Sequence, residues 1–92
     1  MEREERVLKA LANRKRLEIL RLLKVGKEEF GVSEIARRIR LSVKSTSRHL
    51  IRLEQVGLIK KDRYKNFVIS HVPKQIWQIL GLLQKMFYRN KK

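Results

Sequence analysis

The sequence predicts a mainly α-helical domain with one small β-hairpin, in the order α-α-α-α-β-β-α. Three observations carry that expectation. Apolar residues recur at helical spacing in five separate segments. Two short runs rich in Ile, Val and Phe flank a polar tip between the fourth and fifth of these. The 92 residues, 42% hydrophobic and 36% charged, suit one compact, ordered domain spanning 1–92. So short a chain has a poor ratio of buried to exposed surface, which makes a second copy of itself a natural source of further burial.

From Glu2 to Ala12, Val7, Leu8 and Leu11 line one side of a first helix, with Glu2, Glu4 and Glu5 in the first turn, where carboxylates favour the helix dipole. Asn13 interrupts it and suits the N-cap of a second helix, RKRLEILRLLKVG, in which Leu17, Ile19, Leu20 and Leu23 are apolar and Gly26 is the stop. Lys27 to Gly31 reads as a polar connector. In VSEIARRIRL, Val32, Ile35, Ala36 and Ile39 make a narrow stripe with Arg37, Arg38 and Arg40 facing away, giving a third helix of nine or ten residues. Leu41-Ser42 is a turn. Ser42 can cap the fourth helix, where Thr46 (through its methyl), Leu50, Leu53 and Gly57 share one side at 100° per residue. Lys44, Ser45, Arg48, Arg52 and Gln55 take the opposite side, and Gly57 ends the helix.

The runs LIKKD and NFVISHV are the two strands, around the tip Arg63-Tyr64-Lys65-Asn66. Pro73 breaks the second strand and suits the first turn of a last helix. There Ile76, Ile79, Leu80, Leu83, Met86 and Phe87 form a stripe that Trp77 and Leu82 widen to about 220°, twice the ordinary face of ~100°. One small core does not cover such an arc, so part of it is expected to pack on a partner subunit. Trp77 and Phe87 read as core or interface residues rather than as a ligand-stacking box.

Lys and Arg number 24 against nine Asp and Glu, a formal charge of +15. Such an excess calls for a polyanion or an anionic surface. It is unevenly placed: residues 1–31 carry nine basic and six acidic groups, whereas 32–92 carry fifteen and three. The absence of cysteine excludes disulfides, thiolate metal sites and cysteine nucleophiles. The charged N-terminus lacks the apolar run of a signal peptide, and no stretch approaches the ~18 apolar residues of a membrane span, so the expected location is the cytoplasm, at the nucleoid. No catalytic set emerges: the acidic residues are scattered, neither histidine has a Ser or Cys partner, and there is no glycine-rich phosphate loop. Neither enzymatic activity nor a cofactor is expected.

Helix, helix, helix, turn, helix, hairpin, helix is the order of a winged helix-turn-helix, with the helix-turn-helix over about 32–57 and the wing over about 58–72. A helix that reads DNA must present hydrogen-bonding and cationic groups to a major groove about 12 Å wide, and SVKSTSRHL does so. The expected double-stranded-DNA contacts on this helix are Ser42, Val43, Lys44, Ser45, Ser47, Arg48, His49 and Arg52. Arg48 is placed for base readout and Arg52, one turn on, for the backbone. Lys60, Lys61, Arg63, Tyr64 and Lys65 of the wing are placed for phosphates or the neighbouring minor groove. His49 stands about 100° from the core direction, where it can either hydrogen-bond the third helix or touch DNA. Ser45, Thr46 and Ser47 can also serve local backbone groups. Arg14 and Arg16 are either phosphate contacts or solvated charge, and His71 a packed or solvent-facing residue on a strand.

The runs LKALANRKRLEILRLL, VSEIARRIRLSVKSTSRHLIRLEQVGLI and NFVISHVP resemble the arsenic-repressor-type (ArsR/SmtB-like) winged-helix regulators over residues 7 to about 87. The most specific pieces are Ser47-Arg48-His49-Leu50 with Leu53, Gly57 and Leu58, and Leu11-Ala12 ahead of Arg16-Leu17-Ile19-Leu20. The resemblance implies a homodimer held by the first and last helices, about 2–12 and 73–89, through Val7, Leu8, Leu11, Ile76, Trp77, Leu80, Leu83 and Phe87. It further implies an imperfect palindrome as the DNA site. The chain departs from the family where metal-sensing members carry ligands. Gly31 and Ser33 occupy the usual cysteine positions, and residues 74–92 contain no Asp, Glu, His or Cys, so no metal is expected. Arg40 and Lys65 stand where the family often has glycine. Two other functions fit the same charge: a sequence-tolerant architectural DNA binder, and a winged-helix module whose basic face meets an acidic protein.

Overall fold

In the computed structural model, α1 spans Glu2–Leu11, α2 Arg14–Val25, α3 Val32–Ile39, α4 Val43–Gln55, β1 Ile59–Lys61, β2 Phe67–Ile69 and α5 Lys74–Arg89. The structure describes residues 2–25, 29–70 and 72–89, the last three of these for their backbone only. The expectations for Gly26, His71, the Phe87 side chain and the tail 90–92 lie outside the described residues. Among the described residues, no helix is long and apolar enough to cross a membrane.

The helices begin and end for local reasons. Asn13 opens α2: its Oδ1 accepts the Arg16 N–H at 3.1 Å and its carbonyl the Leu17 N–H at 3.0 Å. Ser42 opens α4, its hydroxyl accepting the Ser45 N–H at 3.1 Å. The third helix is shorter than expected, eight residues, because Arg40 turns left-handed with φ 59 and ψ 53. The Leu41 N–H then returns to the Ala36 carbonyl at 3.0 Å, closing the helix end. Gly57 does not share the packing side of α4 as expected. It lies beyond the helix with φ 81, in the turn from which the Leu58 N–H reaches the Leu53 carbonyl at 3.0 Å, and Val56 supplies the buried side chain.

α2 is central and packs against α1, α3, α4, α5 and β2. Its Leu17, Ile19 and Leu20 join Leu11, Ile35, Leu50 and Leu53 in the core. Thr46 is fully buried as expected, but among the described residues its Oγ1 finds no hydrogen-bond partner. The hairpin is antiparallel, pairing Ile59 with Ile69, Lys60 with Val68 and Lys61 with Phe67. Each strand is three residues, shorter than its apolar run. The connector before α3 is a correction to the sequence reading. Phe30 is only 2% exposed and forms an antiparallel bridge with Phe67, whose N–H reaches the Phe30 carbonyl at 2.8 Å. Burying that ring is worth about 1.5–3 kcal/mol, and it fastens the hairpin to the helices.

Candidate nucleic-acid interface

The N-terminal half of α4 divides as its helical spacing requires. Thr46 and Leu50 turn inward, while Lys44, Arg48 and Arg52 are exposed, with Ser42 and Val43 exposed at the helix start. Ser45 and Ser47 are half-buried. Ser47 lies to one side, lining with Val32, Ile51, Lys61, Lys65 and Phe67 a cavity of about 260 Å³ between α4 and the hairpin. The structure therefore brings Ser47 of the expected recognition helix against Lys61 and Lys65 of the expected wing.

The hairpin tip is held by Asp62, which the sequence reading passed over. Its Oδ1 accepts the backbone N–H groups of Asn66 at 3.0 Å and Tyr64 at 2.8 Å, and those bonds hold its carboxyl below the usual range. Its own N–H donates to the Asn66 carbonyl at 2.8 Å, and its carbonyl accepts from the Lys65 N–H at 3.1 Å. Lys65 takes the left-handed conformation, φ 65, that the turn needs. Lys60, Lys61, Arg63, Tyr64 and Lys65 all stand exposed. The Lys61 ammonium lies 5.5 Å from the Phe67 ring centre, and the Arg63 guanidinium 5.4 Å from that of Tyr64.

Two adjacent residues at the start of α2 reach in different directions. Lys15 Nζ donates to the Ile39 carbonyl at the end of α3, at 2.7 Å, and pairs with Glu18 at 3.4 Å. Arg16 is neither solvated charge nor a bare surface cation. Its Nε donates to the Ala10 carbonyl at 2.6 Å and its Nη2 to that of Lys9 at 3.4 Å, capping α1, while Nη1 lies 3.2 Å from Nδ1 of His49. His49 thus bonds α2 and not the third helix. Burial, then Arg16 and Lys15, lower its pKa.

α1 and α5 flank a groove of about 470 Å³ lined by Arg3, Val7, Leu8, Leu58, Ile76 and Ile79, among others. The interface expectation needs correction here. Leu11 and Leu80 are buried within the single chain and belong to its core, and Val7, also part of the core, leaves only a small surface in the groove. Trp77 is half-buried beneath Lys24, whose ammonium is 4.3 Å from the ring centre. Leu8, Leu82 and Met86 are 48%, 63% and 64% exposed, and with half-buried Ile76, Ile79 and Leu83 they are the open apolar residues of α1 and α5 among those described. Among the described residues no three His, Asp or Glu side chains gather as metal ligands would.

Residues 11–62, more than half of the chain and running from the end of α1 to the wing tip, match the family described as a helix-turn-helix domain. No curated protein matches. Among solved structures, the homodimeric winged helix-turn-helix DNA-binding domain of Mb0332 from Mycobacterium bovis, a candidate ArsR-family transcriptional regulator, is 28% identical with a TM-score of 0.73. That match covers 99% of this chain and 83% of that one. NolR from Sinorhizobium fredii is 33% identical with a TM-score of 0.71, over 94% and 85% of the two chains. Reduced HlyU from Vibrio cholerae is 30% identical with a TM-score of 0.68, over 94% and 90%. A capped α4 beside a basic hairpin, on a scaffold shared end to end with such proteins, identifies the chain as a member of the helix-turn-helix domain family, a winged-helix transcriptional regulator of the ArsR type.

Proposed function

We propose that this chain acts as a homodimer on a palindromic double-stranded DNA operator, in the cytoplasm at the nucleoid, and without sensing a metal. The N-terminal half of α4 enters the major groove with Lys44, Ser45 and Arg48, and with Ser47 toward the wing. Lys60, Lys61, Arg63 and Lys65 follow the backbone or the adjacent minor groove. The carrying observation is that Lys44 and Arg48 are exposed on a helix capped at Ser42, whose Ser47 lines one cavity with the exposed wing residues Lys61 and Lys65. The open apolar residues Leu8, Ile76, Ile79, Leu82, Leu83 and Met86 are the surface for the second copy, and Mb0332, alike over nearly the whole chain, is homodimeric.

Selection from random duplexes by the purified full chain tests the reading. The expected result is one enriched palindrome with half-sites about 10 base pairs, one helical turn, apart; recovery of no motif removes it. The +15 charge favours one second reading, a sequence-tolerant binder. That reading requires a ratio of operator to bulk-DNA affinity below about 10³.

A further inference from the structure

The contact between Arg16 Nη1 and His49 Nδ1 constrains the imidazole. A guanidinium offers only donors, so Nδ1, 3.2 Å away, must accept. The ring proton then resides on Nε2. The two ring nitrogens point apart, which directs the Nε2–H away from Arg16, and among the described residues it has no hydrogen-bond partner. His49 is half-buried rather than enclosed, and its α4 neighbours one turn away are Ser45 and Arg52.

The surrounding charge is chiefly positive. From α2 come Arg16 and Lys15, the latter shared between the Ile39 carbonyl and the Glu18 carboxylate. From α4 comes Arg52, near enough to repel the Arg16 guanidinium. α1 contributes the carbonyls of Lys9 and Ala10 to Arg16, and its Lys9 ammonium pairs with Glu5 at 3.7 Å. A donor aimed outward amid cations is suited to an anionic oxygen.

We propose that Arg16 holds His49 as the neutral Nε2–H tautomer, making it a hydrogen-bond donor to a DNA phosphate oxygen beside Arg52. Arg16 is the positioning residue and His49 the contact. The inference rests on the DNA-binding reading for its ligand, but not for its tautomer. Partial burial and the adjacent Arg16 and Lys15 lower the pKa of the ring and so favour its neutral form. A neutral donor strengthens binding without releasing a counterion, so it adds affinity and no salt dependence.

Long-range nitrogen–proton NMR spectra of the free full chain at neutral pH read the tautomer directly. His49 is expected with a protonated Nε2 and a bare Nδ1, and Arg16→Met should relax it toward a mixture. A protonated Nδ1 in the wild type, or an unchanged tautomer in Arg16→Met, overturns the lock. The second arm measures affinity for the selected operator. The side-chain amide of His49→Gln can place an N–H near the Nε2 position, whereas His49→Asn keeps an acceptor near the Nδ1 position and loses the distal donor. His49→Asn is expected to bind about three- to ten-fold more weakly at unchanged salt slope, with His49→Gln binding more tightly than it. Wild-type affinity in His49→Asn, or a slope reduced by about one, overturns the phosphate contact. If no duplex of any sequence binds the wild type, the DNA-binding reading falls and the phosphate contact with it, while the spectra still decide the lock.

Discussion

Along α4, Thr46, Leu50 and Leu53 turn inward and Lys44, Arg48 and Arg52 take the outside. Along α5, Leu80 is the one fully covered side chain among those described, and Leu82 and Met86 lie open to solvent. Both helices rest on α2, so the contrast arises from the arc of apolar residues each carries and not from the scaffold beneath. A narrow stripe is satisfied by the domain core and leaves the remaining surface to charge. A wide one runs past the core and leaves a surface that another apolar surface can cover. The two sides should accordingly respond to opposite conditions: binding through α4 and the wing weakens steeply with salt, while association through α5 does not.

The contrast can be broken from either side. Phe30→Ala should have the largest effect, about 3–5 kcal/mol of stability by urea unfolding, because the ring is enclosed where the hairpin joins the helices; a loss below about 1 kcal/mol would show that the wing is held in some other way. The pair Leu8→Glu and Leu82→Glu should convert dimer to monomer in sedimentation. Fold stability should stay within about 0.5 kcal/mol per site, since both residues are exposed, and operator affinity should drop about 10²-fold. An intact dimer would move the interface elsewhere. On the charged side, Arg48→Ala should cost about 1–3 kcal/mol of base discrimination, whereas Lys61→Ala should weaken all sequences alike and reduce the salt slope by about one; a uniform loss in Arg48→Ala would deny it base readout.

Inside α4, Thr46→Val keeps the shape and removes the orphan hydroxyl, so unfolding midpoints should rise by about 1 kcal/mol equivalent. No gain would mean that Oγ1 is satisfied in solution. The smallest effect is on acidification. The folded pKa of His49 lies below its unfolded value of about 6.5, so the unfolded chain takes up the proton first. The stabilisation is fully present above about 6.5 and is lost as pH falls through the folded value. Denaturation between pH 7 and 5 should show a shallower pH dependence in His49→Asn, and equal slopes would exclude His49 as the cause.

Local features were legible in the sequence where their partners were local. The five helical stripes, the Asn13 and Ser42 caps and the outward cations of α4 follow from neighbours within a turn or two. Phe30 was not legible, because Glu28, Glu29 and Gly31 surround it and its partner Phe67 lies far along the chain. Arg16 read with Arg14 as a phosphate contact or solvated charge and Lys15 was not singled out, since nothing local announces that the targets of Lys15 and Arg16 are the ends of α3 and α1 and the His49 ring. Asp62 could have been found: an Asp opening a polar tip commonly accepts the N–H two residues on. The division of Val7, Leu11 and Leu80 from the open residues of α1 and α5 was beyond an angular count, which measures how wide an apolar arc is but not where the core ends.

Arg40, in the turn before α4, and Lys65, at the tip of the wing, take a left-handed conformation that costs an L-residue about 1 kcal/mol or more. Each places a cation where glycine would relax the backbone. Those charges contribute to the field that draws an anionic duplex in before contact, an effect on encounter rate that fades as ionic strength rises. At these two positions, thermal robustness and the speed of the search for DNA pull the sequence in opposite directions.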